Sequence, residues 1–383
     1  MRFLHGNYDP GMAVAAAPLE QRLRGKRVVI ALGAGGVGKT TTSAALGLGL
    51  AMNGARVAVV TIDPARRLAS ALGLDALSGE PSRIELGALE AHRGAIEGEL
   101  WAMMLDTKRT FDQVVARLAP DEQTLQEILE NPIYAQLSAA VAGSQELSAV
   151  VKLYELHAER DFDVIVLDTP PSRHALDFLD TPSRLLGFLE GRALQVFLAP
   201  GGMTARLFGR GTALVFSIFA RVTGVDMLSE LSRFFRSMSG VLEGFGERTR
   251  GVQTLLRAPE TAFVIVTSPE AEPAREAGFL AHRLERAGLA RAELVVNRVH
   301  VDGLAGHTVE QASRLLAPEL GEGLAARVAR NLADFDTLVR RDRETIERLS
   351  RTLGSESPVV VGHLDQEVQD LLGLERVAEQ LFA

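Results

Sequence analysis

Seven short apolar runs punctuate the chain, at residues 28–32, 57–62, 100–105, 164–167, 263–267, 294–297 and 359–361. Most are continuous rather than alternating, which predicts strands covered on both faces, as parallel strands are. Helix-period stretches separate them. A strand–helix alternation of this kind predicts an α/β fold, a doubly wound and mostly parallel sheet, with ligands held beyond the carboxyl ends of its strands.

Two intervals, 107–160 and 175–260, are too long for simple crossovers and both read as helical. Leu125, Ile128 and Leu129 recur at helix spacing, as do Met227, Leu228, Leu231, Phe234, Phe235, Met238, Leu242 and Phe245, with Ser229, Arg233, Arg236 and Ser237 on the other face. The expected organisation is an N-terminal arm over 1–24, a core from 25–106, 161–178 and 258–383, and a helical insert subdomain from 107–160 and 179–257. Residues 188–245 hold half of the 16 Phe together with Met203, Met227 and Met238. Such residues suit a surface for varied apolar partners, or else the subdomain's own core. A last helix is expected from Val368, Leu371, Leu372, Leu374, Val377 and Leu381. Its Glu367, Asp370, Glu375 and Glu379 suit packing on the sheet better than attachment to anionic lipid.

The first strand runs into a glycine loop. Gly33, Gly35, Gly36, Val37 and Gly38 lead to Lys39, Thr40 and Thr41, and a helix-forming segment follows. The spacing Gly-x4-Gly-Lys-Thr cradles phosphates: glycines let successive N–H groups turn inward, and the helix adds its own unpaired N–H groups. Lys39 supplies a point charge to the β- and γ-phosphates, and the Thr40 hydroxyl is placed to ligate Mg²⁺. Gly33-x-Gly35-x-x-Gly38, with Asp63 after the next strand, also satisfies a dinucleotide fingerprint. Two features favour the triphosphate. A lysine directly after the third glycine serves a phosphate chain and not helix–sheet packing, and a second acid, Asp168, ends a buried strand as a magnesium residue should. Arg66 and Arg67, beside Asp63, are either charge donors to a γ-phosphate or solvated helix residues. Tyr154 and Trp101 read as core.

Composition narrows the partners. A net charge of −8 argues against nucleic acid, which needs a basic footprint. The absence of cysteine excludes disulfides, thiolate catalysis, iron–sulfur clusters and Cys-based zinc sites. The most apolar run, 213–220, is too short to span a bilayer and is closed by Arg221. No secretion signal opens the chain, so a cytoplasmic location is expected.

Together, residues 33–42, Thr61-Ile62-Asp63-Pro64-Ala65 and Asp168-Thr169-Pro170-Pro171-Ser172-Arg173-His174 resemble the ArsA-type ATPases. That family includes the arsenite-pump ATPase and the guided-entry ATPase that targets tail-anchored membrane proteins. The likeness extends through Gly143-Ser144-Gln145-Glu146, Lys152-Leu153-Tyr154-Glu155-Leu156 and the segment from Val359 to Asp365. It implies a P-loop ATPase in which Asp63 activates the attacking water, Thr40 binds Mg²⁺ directly and Asp168 holds it through a water. The segment Asp168, Thr169, Pro170, Pro171, Ser172, Arg173 and His174 is then the second switch, and His174 is either a relay or a structural histidine. Asn297 resembles the asparagine that reads adenine, with Gly362, His363 and Leu364 closing over the base. The family also implies a nucleotide-driven dimer that couples ATP to an apolar protein client or a membrane-protein partner. The alternative is a pump-driving subunit of an anion transporter, here without cysteine metalloid sites. A third reading is a membrane-surface positioning ATPase.

Departures from the family pattern bear on assembly. The resemblance implies a family that usually has lysine at the position of Ala34, reaching the neighbouring subunit's phosphates, and whose better-known members have Thr-Gly where this chain has Ser172-Arg173. A heterodimer with a paralogue carrying that lysine is one expected arrangement.

Overall fold

The computed structural model describes residues 18–63, 67–142, 145–171, 180, 182–184, 186–187, 189–191, 225–304, 306–355, 357–364 and 366–383. The chain divides into two compact units, one drawn from 1–104, 161–176 and 257–383, the other from 105–160 and 177–256.

The first unit is built on one sheet of eight strands: β1 (Val28–Gly33), β2 (Arg56–Thr61), β3 (Ser82–Arg83), β4 (Glu99–Met104), β5 (Val164–Asp168), β6 (Thr261–Thr267), β7 (Glu293–Val299) and β8 (Val359–Gly362). Their spatial order is β3-β4-β2-β5-β1-β6-β7-β8. Every pairing is parallel except β3 with β4. All seven expected strands are present, within two residues at each end. The added one, β3, is two polar residues long and carries no apolar run to betray it. Central strands β1, β5 and β6 are buried at every position, the reason their sequences read as unbroken apolar runs. Each fully buried Ile or Leu contributes about 1.5–3 kcal/mol.

Behind the glycine loop the helix Lys39–Met52 lies in the hydrophobic core. Its small residues set how close it comes. A Cβ on Gly47 would fall 2.3 Å from Val59 of β2, and one on Gly49 would fall 2.2 Å from the ring of Phe382. Phe382 ends the last helix, Leu371–Phe382. That helix buries Leu374, Val377 and Leu381, while Glu375 and Glu379 both pair with Arg93. Of the four acids, Glu375 is buried in the packed layer, while Glu367, Asp370 and Glu379 are exposed, Asp370 capping the helix. Helices Val309–Leu320 and Glu322–Leu353 form a hairpin turned at Gly321, and the second also packs on β7.

The second unit is helical where described: Thr107–Leu118, Glu122–Leu129, Pro132–Ala142, Gln145–Glu159, Val225–Ser237 and Ser239–Arg257. Asp106 and Asp121 cap the first two, accepting from Arg109 N at 3.0 Å and Thr124 N at 2.7 Å. Phe234, Met238 and Phe245 are buried with Val114, Val151 and Tyr134, so these members of the Phe/Met set fill the unit's own core. Residues 188 and 192–224, which carry most of the rest, lie outside the described residues. Of the residues expected to be core, Tyr154 is half-buried with its ring packed at Gly251, whereas Trp101 is half-buried with the Arg56 guanidinium 5.2 Å over its ring.

Candidate nucleotide site

The carboxyl ends of β1, β2 and β5 meet because Ala31 and Thr61 are both in register with Asp168. Main-chain and hydroxyl bonds tie the three ends together: Ile62 N donates to Asp168 O at 3.1 Å, and Thr169 Oγ1 donates to Ala31 O at 2.7 Å. Over this base runs the glycine loop. Gly33 ends β1 against β6, where a Cβ would sit 2.2 Å from the Val266 carbonyl oxygen. Gly38 caps the helix in the left-handed conformation, with φ 87° and ψ 22°. Gly35 and Gly36 are exposed while Val37 is buried beneath them. Ala34 is buried as well.

Three polar side chains converge under the loop. Lys39, Thr40 and Asp168 are each less than 10% exposed. Asp168 Oδ2 accepts hydrogen bonds from Thr40 Oγ1 at 2.7 Å and from Thr61 Oγ1 at 2.9 Å. The other carboxylate oxygen, Oδ1, is buried with no hydrogen-bond partner. A buried anionic oxygen left unpaired is costly, and it is the donor a hard cation would complete. With the Thr40 hydroxyl beside it, the donor set is all oxygen, which fits Mg²⁺. Burial pushes the Asp168 carboxyl above the usual range, against the pull of Lys39 and the two hydroxyl bonds. Burial likewise pushes the Lys39 ammonium down, opposed by Asp168 and Asp63 and assisted by Arg67.

Asp63 lies two residues past the end of β2. Its N–H donates to Thr61 Oγ1 at 3.2 Å, linking it to Asp168 through one hydroxyl. Its carboxylate takes a 3.1 Å contact from Arg67, which is otherwise 63% exposed. Arg67 is therefore solvated and paired with the acid at once. Thr61 opens the Thr61–Ala65 motif, but nothing in the sequence assigns it a role of its own, because a threonine at a strand end does not show which distant side chain its hydroxyl meets. The available signal was its place two residues before Asp63.

Toward the other edge, Asn297 near the end of β7 donates from Nδ2 to the Val37 carbonyl at 2.9 Å, while its Oδ1 accepts from Arg298 N. Its amide thus braces the phosphate loop. Gly362 N donates to Gln380 Oε1 at 2.7 Å and His363 N to Val299 O at 2.9 Å, which fixes the path of the chain into Leu364. Thr41 is half-buried in the first turn of the helix. Of the expected second switch, Thr169 and Pro170 are buried and Pro171 is exposed beside Gly35, where a Cβ would lie 3.8 Å from it. Ser172, Arg173, His174 and Arg66 lie outside the described residues.

A parallel sheet whose central strand feeds a glycine loop and Lys-Thr helix, with a buried acid on the neighbouring strand end, defines a P-loop nucleotide-binding protein. The model of the anion-transporting ATPase (ArsA) family matches residues 26–311, and the chain belongs to that family. Among curated relatives it is 28% identical over 250 residues to a protein of Aquifex aeolicus provisionally named arsenical pump-driving ATPase 1, covering 64% of this chain and 56% of the relative. It is 26% identical to ATPase ARSA2 of Chlamydomonas reinhardtii, covering 70% of this chain and 66% of that one. It is also 26% identical to ATPase GET3 of Malassezia globosa, covering 70% and 71%. The chain thus spans less than two thirds of the length of the first two. The family implies use of a nucleotide. Among the described residues no helix is long and apolar enough to cross a membrane.

Proposed function

We propose that the chain binds ATP in the loop of residues 33–41 and hydrolyses it as a nucleotide-driven switch. The observation that carries this reading is the Lys39–Thr40–Asp168 cluster, with its unpartnered buried Asp168 oxygen. Lys39 offsets the charge of the β- and γ-phosphates, and loop N–H groups hold the phosphate oxygens. Thr40 and Asp168 are the residues that would hold Mg²⁺, whose charge offsets that of the phosphates. Asp63 orients the attacking water. As the water oxygen bonds to the γ-phosphorus, the bridging β–γ oxygen departs on ADP with its electron pair, and the water proton passes to the Asp63 carboxylate. Such chemistry requires positioning and charge more than covalent help.

The segment beginning Asp168-Thr169-Pro170-Pro171 couples nucleotide state to the helical unit, because it starts at the γ-phosphate end of the site. The work is done in the cytoplasm, where ATP is available. Partner engagement by the helical unit, dimer formation, and pairing with a paralogue that supplies a lysine at the position of Ala34 belong to the same proposal. The test is titration of MgATP onto the purified chain and its Lys39→Ala variant. Loss of high-affinity binding is expected, and unchanged affinity would refute the phosphate-loop assignment.

A further inference from the structure

Thr61 ends β2 and is almost wholly buried, yet its hydroxyl is engaged on two sides. Its Oγ1 donates to Asp168 Oδ2 at 2.9 Å and accepts from the main-chain N–H of Asp63 at 3.2 Å. The partners fix the direction of both bonds, since an ionised carboxylate only accepts and an amide N–H only donates. Amide, hydroxyl and carboxylate thus form one relay in which each bond polarises the next.

The relay hangs on backbone geometry. Thr61 and Asp168 are partners in the parallel pairing of β2 with β5, so their side chains rise from the same face of the sheet. Branching at Cβ makes threonine stiff about χ1, so the strand itself aims the hydroxyl. A second bond runs alongside, from Ile62 N to the Asp168 carbonyl oxygen at 3.1 Å. Both residues that follow Thr61 are therefore held by Asp168. Ile62 is held through its carbonyl, and Asp63 through its carboxylate with the Thr61 hydroxyl between them.

The same hydroxyl chooses between the two oxygens of Asp168. A carboxylate turning about χ2 exchanges them, because that torsion is broad and two-fold. Here Oδ2 takes protons from Thr40 and Thr61, which stand on different elements, at 2.7 and 2.9 Å. Oδ1 takes none, although it is buried. Turning the group would break both bonds, so Oδ1 is the oxygen kept back for a cation. Thr40 is itself a candidate ligand of that cation. Thr61 stands outside the ligand set and touches Asp63 instead.

We propose that Thr61 is a positioning residue for hydrolysis. It keeps the Asp168 carboxylate turned with Oδ1 open to the cation, and it ties the main chain of Asp63, the water-orienting acid, to that same carboxylate. One hydroxyl thus sets both metal affinity and water activation, while exchanging no atom in the reaction. This rests on the reading that MgATP occupies the loop. Valine in its place would keep the shape and suit the strand, but Oδ2 would lose a donor and the Asp63 N–H would lose this acceptor.

The experiment measures ATP affinity of wild type, Thr61→Val, Thr61→Ser and Lys39→Ala by competition against a fluorescent nucleotide, in EDTA and across a Mg²⁺ series. Steady-state ATPase assays run beside it. In EDTA, Thr61→Val should bind ATP as wild type does, which also shows that the variant folds. The Mg²⁺ concentration for half-maximal effect should rise about 10- to 100-fold, the range for losing a group that orients a metal ligand. Bound Mn²⁺ counted by electron paramagnetic resonance with ADP present should weaken in parallel, with no turnover involved. At saturating Mg²⁺ and ATP, kcat should fall at least about tenfold with KM unchanged, since Asp63 acts on the water. Thr61→Ser keeps the hydroxyl and should restore both properties. Either effect without the other would overturn the claim that one hydroxyl serves both acids. Loss of ATP binding by Thr61→Val in EDTA, or no rescue by serine, would reduce Thr61 to a structural residue and refute the proposal. If Thr61→Val behaves as wild type while Lys39→Ala abolishes binding, the positioning role falls and the phosphate loop stands. If Lys39→Ala changes nothing, both fall.

Discussion

Gly38→Ala tests the geometry of the loop through an energy that can be worked out beforehand. Gly38 stands at φ 87°, where an alanine costs about 1–2 kcal/mol. The new methyl would also fall 2.2 Å from Asn297 Nδ2. That amide must swing away, losing its bonds to Val37 O and from Arg298 N, each about 0.5–1.5 kcal/mol. Gly38→Ala should therefore cost about 2–5 kcal/mol in all. Asn297→Ala alone loses the same two bonds and should cost about 1–3 kcal/mol. In the double variant the bonds can be lost only once, so it should be no less stable than Gly38→Ala, a coupling of about 1–3 kcal/mol. The assay is the denaturant midpoint of the nucleotide-free chain in all four versions, with the slope checked for constancy. Strict additivity would refute the claim that Asn297 braces the loop against Gly38.

Three further outcomes are expected. Asp63→Asn should leave ATP affinity near wild type but cut turnover by at least about tenfold, because the acid acts on the water and not on ground-state phosphates; steady-state ATPase assays with parallel binding curves decide it. Asp168→Asn should abolish Mg²⁺-dependent turnover yet stabilise the nucleotide-free protein at neutral pH. The folded carboxyl is raised above its unfolded value, so the charged form is penalised there, and the gain should fade as pH falls through the raised value; melting curves across pH 4–8, about the range carboxylates and histidines span, would show it. Tyr134→Phe removes a 2.6 Å bond to the Asp112 carboxylate and should destabilise the helical unit by about 1.5–3 kcal/mol, read from its unfolding transition.

What the sequence disclosed depended on how local each cause was. Buried parallel strands announced themselves because both faces of β1, β5 and β6 are covered, so no polar residue interrupts them. The phosphate loop was legible because its glycines and Lys-Thr are contiguous. By contrast, Thr61 acts through a hydroxyl aimed at a residue 107 positions away. His300 and Asp342 are separated by 42 positions and joined only by the packing of a helix on β7. Phe234 and Phe245 looked alike as core or groove, since helix periodicity says which face is apolar but not what covers it. Leu129 shows the same limit, being 40% exposed although it shares its spacing with fully buried Ile128.

The strand order carries a consequence for timing. The strand that launches the phosphate loop is flanked by β5 and β6, so its two neighbours are residues 164–168 and 261–267. A nascent chain that has just emitted the glycine loop cannot shape it, because the Val266 carbonyl against Gly33 and the Asp168 carboxylate beneath Thr40 do not yet exist. The Asn297 brace comes later still. Sheet assembly must await distant segments, which slows folding and leaves β1 and β2 as unpaired edges in the interim. Affinity for nucleotide should thus emerge late and steeply during synthesis, and a ribosome-stalling series could time its onset: chains stalled short of β6 should be blind to ATP however correct their first hundred residues.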